Sequence, residues 1–155
     1  MNFYILKKKN FSLLMTGKLL SLVGTEMQSF ALSLYVLKIT GSATKFASVL
    51  AVTIIPQIVL GPFAGVLVDW FNRKKMIIYL DLLNGLILLP YVYIYYAYSS
   101  ISLTSIYILV IMLAIISVFY NPALNTIIPT IIEKDYLVDA NGINSLIMNI
   151  GNIIA

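Results

Sequence analysis

Two long uncharged runs limit how this chain can fold. Residues 82–132 contain no charged side chain, and residues 46–68 contain none either. A helix that crosses a bilayer needs roughly 20 apolar residues, so the longer run alone has room for two spans. Overall, 61% of residues are hydrophobic and 10% are charged, whereas soluble domains are about 45–50% apolar and about 25% charged. The sequence therefore predicts an all-α integral membrane protein.

The uncharged runs and the polar segments between them divide the chain into five predicted helices. Four of them are full spans, and the fifth is still apolar at Ala155. We therefore expect residues 1–155 to be a partial N-terminal helical bundle of a longer protein. The predicted spans cover residues 11–37, 46–68, 76–96, 104–128 and 136–155, the last of them incomplete.

The basic residues predict the orientation of these spans. Short cytoplasmic loops of membrane proteins are enriched in lysine and arginine. With the N-terminus inside, only Lys38 and Lys45 lie outside, and the other eight of the ten basic residues lie at or near the inner face: Lys7, Lys8, Lys9, Lys18, Arg73, Lys74, Lys75 and Lys134. Topology explains this placement better than phosphate binding does. We predict a multi-pass cell-membrane protein with a cytoplasmic N-terminus and no nucleic-acid partner.

The missing residue types exclude several kinds of chemistry. The chain contains no cysteine and no histidine, so a disulfide framework and a thiolate or imidazole metal site are excluded. A metalloprotease-type motif such as His-Glu-x-x-His is absent as well. We therefore predict that the chain is not an enzyme and needs no cofactor. Any proton chemistry must use carboxylates.

The most informative motif lies between the second and third predicted spans, where the chain reads Gly-Val-Leu-Val-Asp-Trp-Phe-Asn-Arg-Lys-Lys over residues 65–75. It resembles the loop that follows the second span of major facilitator transporters. Trp70 and Asn72 depart from the usual pattern of that loop. The resemblance is to the efflux branch, which includes macrolide and siderophore exporters. The matching residues are Gly65, Leu67, Asp69, Arg73 and Lys74.

The resemblance implies a fold and a function. The chain would be the N-terminal half, lacking its last part, of a secondary active transporter that works by alternating access. The substrate would be a small amphipathic organic molecule, such as an antibiotic, exported against proton influx. Asp69 would help to lock the two halves in the outward-facing state. The C-terminal half of the transporter would be a required partner.

The residues also give independent physical reasons for the motif. Gly65 lacks a side chain, so a neighbouring helix can approach it closely. Arg73 has a planar guanidinium suited to a carboxylate, and Glu133 or Asp135 at the end of the fourth span is the candidate partner. The alternative is that Arg73 and Lys74 only set topology. Topology does not require an acid at Asp69, which favours the gating interpretation there.

Polar residues inside the predicted spans give a second candidate site. Glu26 falls near the middle of the first span, where a charged side chain costs about 3 kcal/mol. We predict that Glu26, with Gln28, carries a proton or contacts substrate, although a hydrogen-bonded packing role stays open. Asn121 precedes a proline in the fourth span. Its amide either satisfies backbone groups that the proline leaves without a partner or faces a substrate path. Lys18 lies at shallow depth in the first span, and Asp81 lies at a comparable depth in the third. We expect the Lys18 ammonium to snorkel to the inner interface, with an ion pair to Asp81 as the alternative.

A function of a different class is also compatible with the composition. A small membrane scaffold or assembly protein would act by helix packing alone. Neutral substitutions at Asp69 and Glu26 would leave such a protein functional, whereas they would impair a transporter.

Overall fold

The computed structural model describes residues 3–154, apart from the side chains of Phe3, Tyr4, Asn152 and Ile154. Apart from short connecting segments, the described part is helical, and it contains no strand, which confirms the all-α prediction. The α-helices are α1 (Lys9–Thr40), α2 (Ala43–Val52), α3 (Ile54–Trp70), α4 (Arg73–Tyr98), α5 (Leu103–Ile131) and α6 (Leu137–Ile154). Short 3-10 helices cover Phe3–Lys7 and Lys134–Tyr136.

Four helical segments are long and apolar enough to cross a membrane: α1, α2 with α3 (Ala43–Trp70), α4 and α5. The joint between α2 and α3 lies at Thr53, three residues before Pro56. Because proline lacks an amide hydrogen, it cannot donate to the carbonyl one turn earlier. The Thr53 hydroxyl donates to the carbonyl of Leu50 at 2.7 Å, which gives the joint a local bond.

Local sequence sets the ends of these helices. After α1, Gly41 adopts a positive φ of 63° and donates to the carbonyl of Leu37 at 2.8 Å, which is a common way for helices to end. Asn72 accepts the Lys75 amide at 3.2 Å and so caps the start of α4. Helix α5 runs to Ile131, past the residue at which the sequence predicted its end. Pro129 therefore lies inside the helix.

The chain forms two compact units, each with its own core. The first combines Met1–Phe30 with Thr126–Ala155. In its core, the N-terminal 3-10 helix and the first turns of α1 pack against the end of α5 and the start of α6. The buried members of this cluster are Ile5, Phe11, Met15, Ile128, Ile132, Ala140 and Ile143.

The second unit comprises Ala31–Asn125. Its core joins α1, α2 and α5 through Val36, Val49, Ile106 and Val110. The hydroxyl of Tyr35 accepts the Ile101 amide at 2.9 Å, which attaches the loop before α5 to α1. Helix α4 has no buried residue, so its apolar side chains are left for lipid or other helices to cover.

Candidate functional site

The loop motif places an acid and a base at the junction of α3 and α4. Asp69 is the second-to-last residue of α3, and Arg73 is the first residue of α4. The Arg73 guanidinium donates to the Asp69 carboxylate at 3.3 Å. The Asp69 side chain retains 58% of its surface exposed. The carboxylate is therefore held in place by one cation and is still open to a further donor.

The other motif residues surround this ion pair in sequence. Gly65 lies one turn before Asp69 on an exposed part of α3, and apart from its chain neighbours and the backbone of its own helix, no described atom lies within 4 Å of the position a Cβ would take. Leu67 is half-buried and Lys74 is exposed. The space at Gly65 is thus unused by the described residues of this chain. A helix from elsewhere has room to approach there.

The candidate gate acids Glu133 and Asp135 lie in the segment between α5 and α6. Glu133 forms an ion pair with Lys8 at 2.5 Å, and the Lys8 ammonium also lies 5.2 Å from the ring centre of Tyr136. Asp135 is exposed within the 3-10 helix Lys134–Tyr136. The structure therefore gives Glu133 a partner that the sequence did not suggest. The predicted pairing of Arg73 with either acid stays a prediction.

The intramembrane candidates lie on two helices. Glu26 and Gln28 are half-buried on α1, and Asn121 is exposed on α5. Glu26 and Gln28 belong to the first compact unit, whereas Asn121 belongs to the second. Among the described residues, no hydrogen bond joins Glu26 to Gln28. Their role in carrying protons or contacting substrate stays a prediction.

One functional candidate was missed at the sequence level. Lys18 is only 4% exposed, and its ammonium donates to the side-chain oxygen of Asn144 on α6 at 2.6 Å. The snorkelling prediction for Lys18 is therefore wrong, because the side chain turns into the protein. A signal was available, since Phe11, Met15 and Lys18 recur at spacings of four and three residues. That spacing places the lysine on the buried face of α1.

The chain has curated relatives among macrolide exporters. It is 27% identical to macrolide efflux protein A of Streptococcus pyogenes over 151 residues, which are 96% of this chain and 36% of that protein. It is 29% identical to macrolide efflux protein A of Enterococcus faecalis over 104 residues, which are 65% of this chain and 31% of that protein. The chain thus spans about a third of the length of these relatives. No solved structure matches it significantly.

A family model gives the broader assignment. The model described as "Transmembrane secretion effector" matches residues 2–154, which is nearly the whole chain. This match agrees with the loop motif and with the four membrane-spanning segments. The chain belongs to the transmembrane secretion effector family of the major facilitator superfamily.

Proposed function

We propose that the complete protein exports small amphipathic organic molecules of the macrolide type across the cell membrane. The observation that carries this proposal is the similarity to macrolide efflux proteins along 96% of the chain. The proposal includes a cytoplasmic N-terminus, which the placement of the basic residues supports. It also includes transport by alternating access, which requires the part of the relatives' length that this chain does not span.

In this proposal, Asp69 and Arg73 act at the gate. Their ion pair at 3.3 Å orients the Asp69 carboxylate at the end of α3. The exposed remainder of that carboxylate is suited to a donor on the opposite half of the transporter, such as a helix N-terminus. Gly65, one turn earlier, allows that half to approach α3 closely. Breaking this contact would accompany the change between outward-facing and inward-facing states.

Proton coupling is assigned to Glu26. It is the only carboxylate between the two ends of α1, and it is half-buried. Carboxylates inside membrane helices commonly belong to proton relays or substrate paths. The chain offers no histidine for this task. Gln28 and Asn121 are proposed to contact the substrate through their amides.

The test is drug efflux by the complete protein in a drug-sensitive bacterial host. We expect the unaltered protein to raise macrolide resistance and to lose activity when the proton gradient is collapsed. Asp69→Asn keeps the shape of the side chain and removes its charge, so we expect at least a tenfold loss of efflux at unchanged protein amounts. Asp139→Asn, which removes an acid outside the motif, is the matched control.

Each part of the proposal can fail separately. Unchanged efflux in Asp69→Asn would reject the gating role, and persistent pH dependence in Glu26→Gln would reject the assignment of the proton site. Absence of macrolide efflux by the unaltered protein would reject the substrate class. Normal function with both residues neutralised is the outcome expected of a membrane scaffold, an alternative that the family match does not favour.

A further inference from the structure

The packing of α1 on α6 has a defined direction. Phe11 and Met15 pack with Ala140 and Ile143 in one core cluster. One turn further along α1, Lys18 meets Asn144. Residue numbers therefore increase in the same direction on both helices, and the two helices pack in parallel. Their register is the position of one helix along the other.

A buried polar pair restricts this register. Lys18 and Asn144 are 4% and 8% exposed, and they are joined at 2.6 Å. Sliding the helices apart would leave a buried ammonium without this acceptor, which is costly in an apolar environment. The pair alone does not select one register, however. Asn141 and Asn149 lie within two turns on α6 and carry the same acceptor.

A steric contact one turn away removes this ambiguity. A Cβ on Gly151 would lie 2.1 Å from Cδ2 and 2.8 Å from Cγ of Leu22. Leu22 therefore occupies space that exists only because residue 151 is glycine. If Asn141 replaced Asn144 opposite Lys18, Leu22 would face a side chain three residues earlier on α6, near Met148. Of the two registers that place Asn141 or Asn144 opposite Lys18, only the observed one also places a glycine against Leu22.

We propose that Lys18 and Asn144 are positioning residues that, with Leu22 on Gly151, fix the register of α1 on α6 and so hold Glu26 in place. Glu26 lies one turn beyond Leu22 on the same side of α1, since residues four apart are neighbours on a helix. A slip by one turn would move Glu26 by about 5.4 Å along α6. The role of Glu26 rests on the function proposed above, whereas the register does not.

The register can be measured by cysteine cross-linking in the complete protein. These 155 residues contain no cysteine, and any cysteine elsewhere in the complete protein is first replaced by serine. One reporter places cysteines at Met15 and Ile143, which share the core cluster. A second places them at Met15 and Asp139, one turn earlier on α6, which approaches Met15 if Asn141 replaces Asn144 opposite Lys18. The ratio of the two cross-linking yields reports the register. We expect the first reporter to dominate in the unaltered protein.

The decisive variant is Lys18→Met combined with Asn144→Leu, which replaces the polar pair by an apolar one. Each single change would leave one member of the Lys18–Asn144 pair buried without the other and is expected to impair folding, whereas the double change removes both members of the pair. We expect the double variant to accumulate normally, with the cross-linking ratio falling at least threefold. Asn144→Asp keeps an acceptor of the same shape, and we expect it to retain the ratio.

Efflux measurements then test the link to Glu26. We expect the double variant to lose at least tenfold in macrolide efflux and to change its pH profile, while Asn144→Asp retains both. An unchanged cross-linking ratio in the double variant would overturn the register assignment. A changed ratio with an unchanged pH profile would overturn the positioning of Glu26. If the unaltered protein exports no macrolide, the proposed function fails, and the cross-linking ratio still decides the register.

Discussion

Substituting Gly151 by alanine tests the packing of α6 on Leu22 directly. The new methyl group would lie 2.1 Å from Cδ2 of Leu22 and 2.8 Å from its Cγ. Rotation about χ2 moves Cδ2 and leaves Cγ in place, so relief requires a change of χ1 or a shift of the helices. Overpacking of this kind costs about 1–3 kcal/mol. An alanine in a helix also gains up to about 1 kcal/mol over glycine, which partly offsets that cost.

A matched control variant cancels the gain in stability that comes from the higher helix propensity of alanine. Gly24 lies on α1, and nothing is within 4 Å of the position of its Cβ. Gly24→Ala therefore gains the helix preference without a clash. We expect Gly151→Ala to be less stable than Gly24→Ala by about 1–3 kcal/mol, the cost of overpacking alone. The measurement is equilibrium unfolding of the purified complete protein, followed by circular dichroism in mixtures of mild and denaturing detergent.

A double variant identifies the cause. Leu22→Ala removes both atoms that the new methyl group would meet, so Gly151→Ala on that background should behave like Gly24→Ala. Failure of Leu22→Ala to relieve the effect would mean that another neighbour causes it. A stability difference below about 0.5 kcal/mol between the two alanine variants would refute the close approach of Leu22 to Gly151, since that is the size of ordinary surface effects.

Three further changes probe local contacts. Tyr35→Phe removes the hydroxyl that accepts the Ile101 amide and should cost about 1 kcal/mol in thermal unfolding; no change would mean that the amide finds another acceptor. Lys8→Glu breaks the ion pair with Glu133 and should increase protease cleavage of the N-terminal segment. Adding Glu133→Lys to the same chain restores opposite charges and should reverse the increase. The effect should be small, because an exposed ion pair contributes at most about 1 kcal/mol to stability. Asn72→Ala should cost about 1 kcal/mol through loss of the α4 cap, and Asn72→Asp should restore it.

Sequence reasoning succeeded where the signal was a composition or a local motif. The uncharged runs predicted the membrane-spanning helices because a charged side chain inside lipid is costly, so a helix that crosses the membrane contains few charges. The loop motif and its resemblance led to the family that the comparison identifies, and that family is one of membrane secretion and not of catalysis. These inferences needed no knowledge of which helix faces which.

Pairings between distant residues were not predictable in the same way. Lys8 and Glu133 are 125 positions apart, and charge complementarity alone offered Glu133 several bases. Lys18 was assigned to the interface because lysine side chains are long enough to reach it. The spacing of Phe11, Met15 and Lys18 places the lysine on one face of α1, but nothing in the sequence indicates that α6 covers this face. The end of α5 was misplaced because neighbouring packing tolerates Pro129 inside a membrane helix.

The buried lysine has a consequence for the order of synthesis. Its acceptor, Asn144, is 126 residues further along the chain. At about 5–20 residues per second, a ribosome needs roughly 6–25 s to make that stretch. During this interval, α1 is exposed to translocon and lipid with an ammonium that lacks this acceptor, while all four buried residues of the second unit's core cluster lie within residues 31–125 and have already been made. Of the two compact units, the one that contains α6 therefore forms later, and its core becomes complete only when α6 has been made.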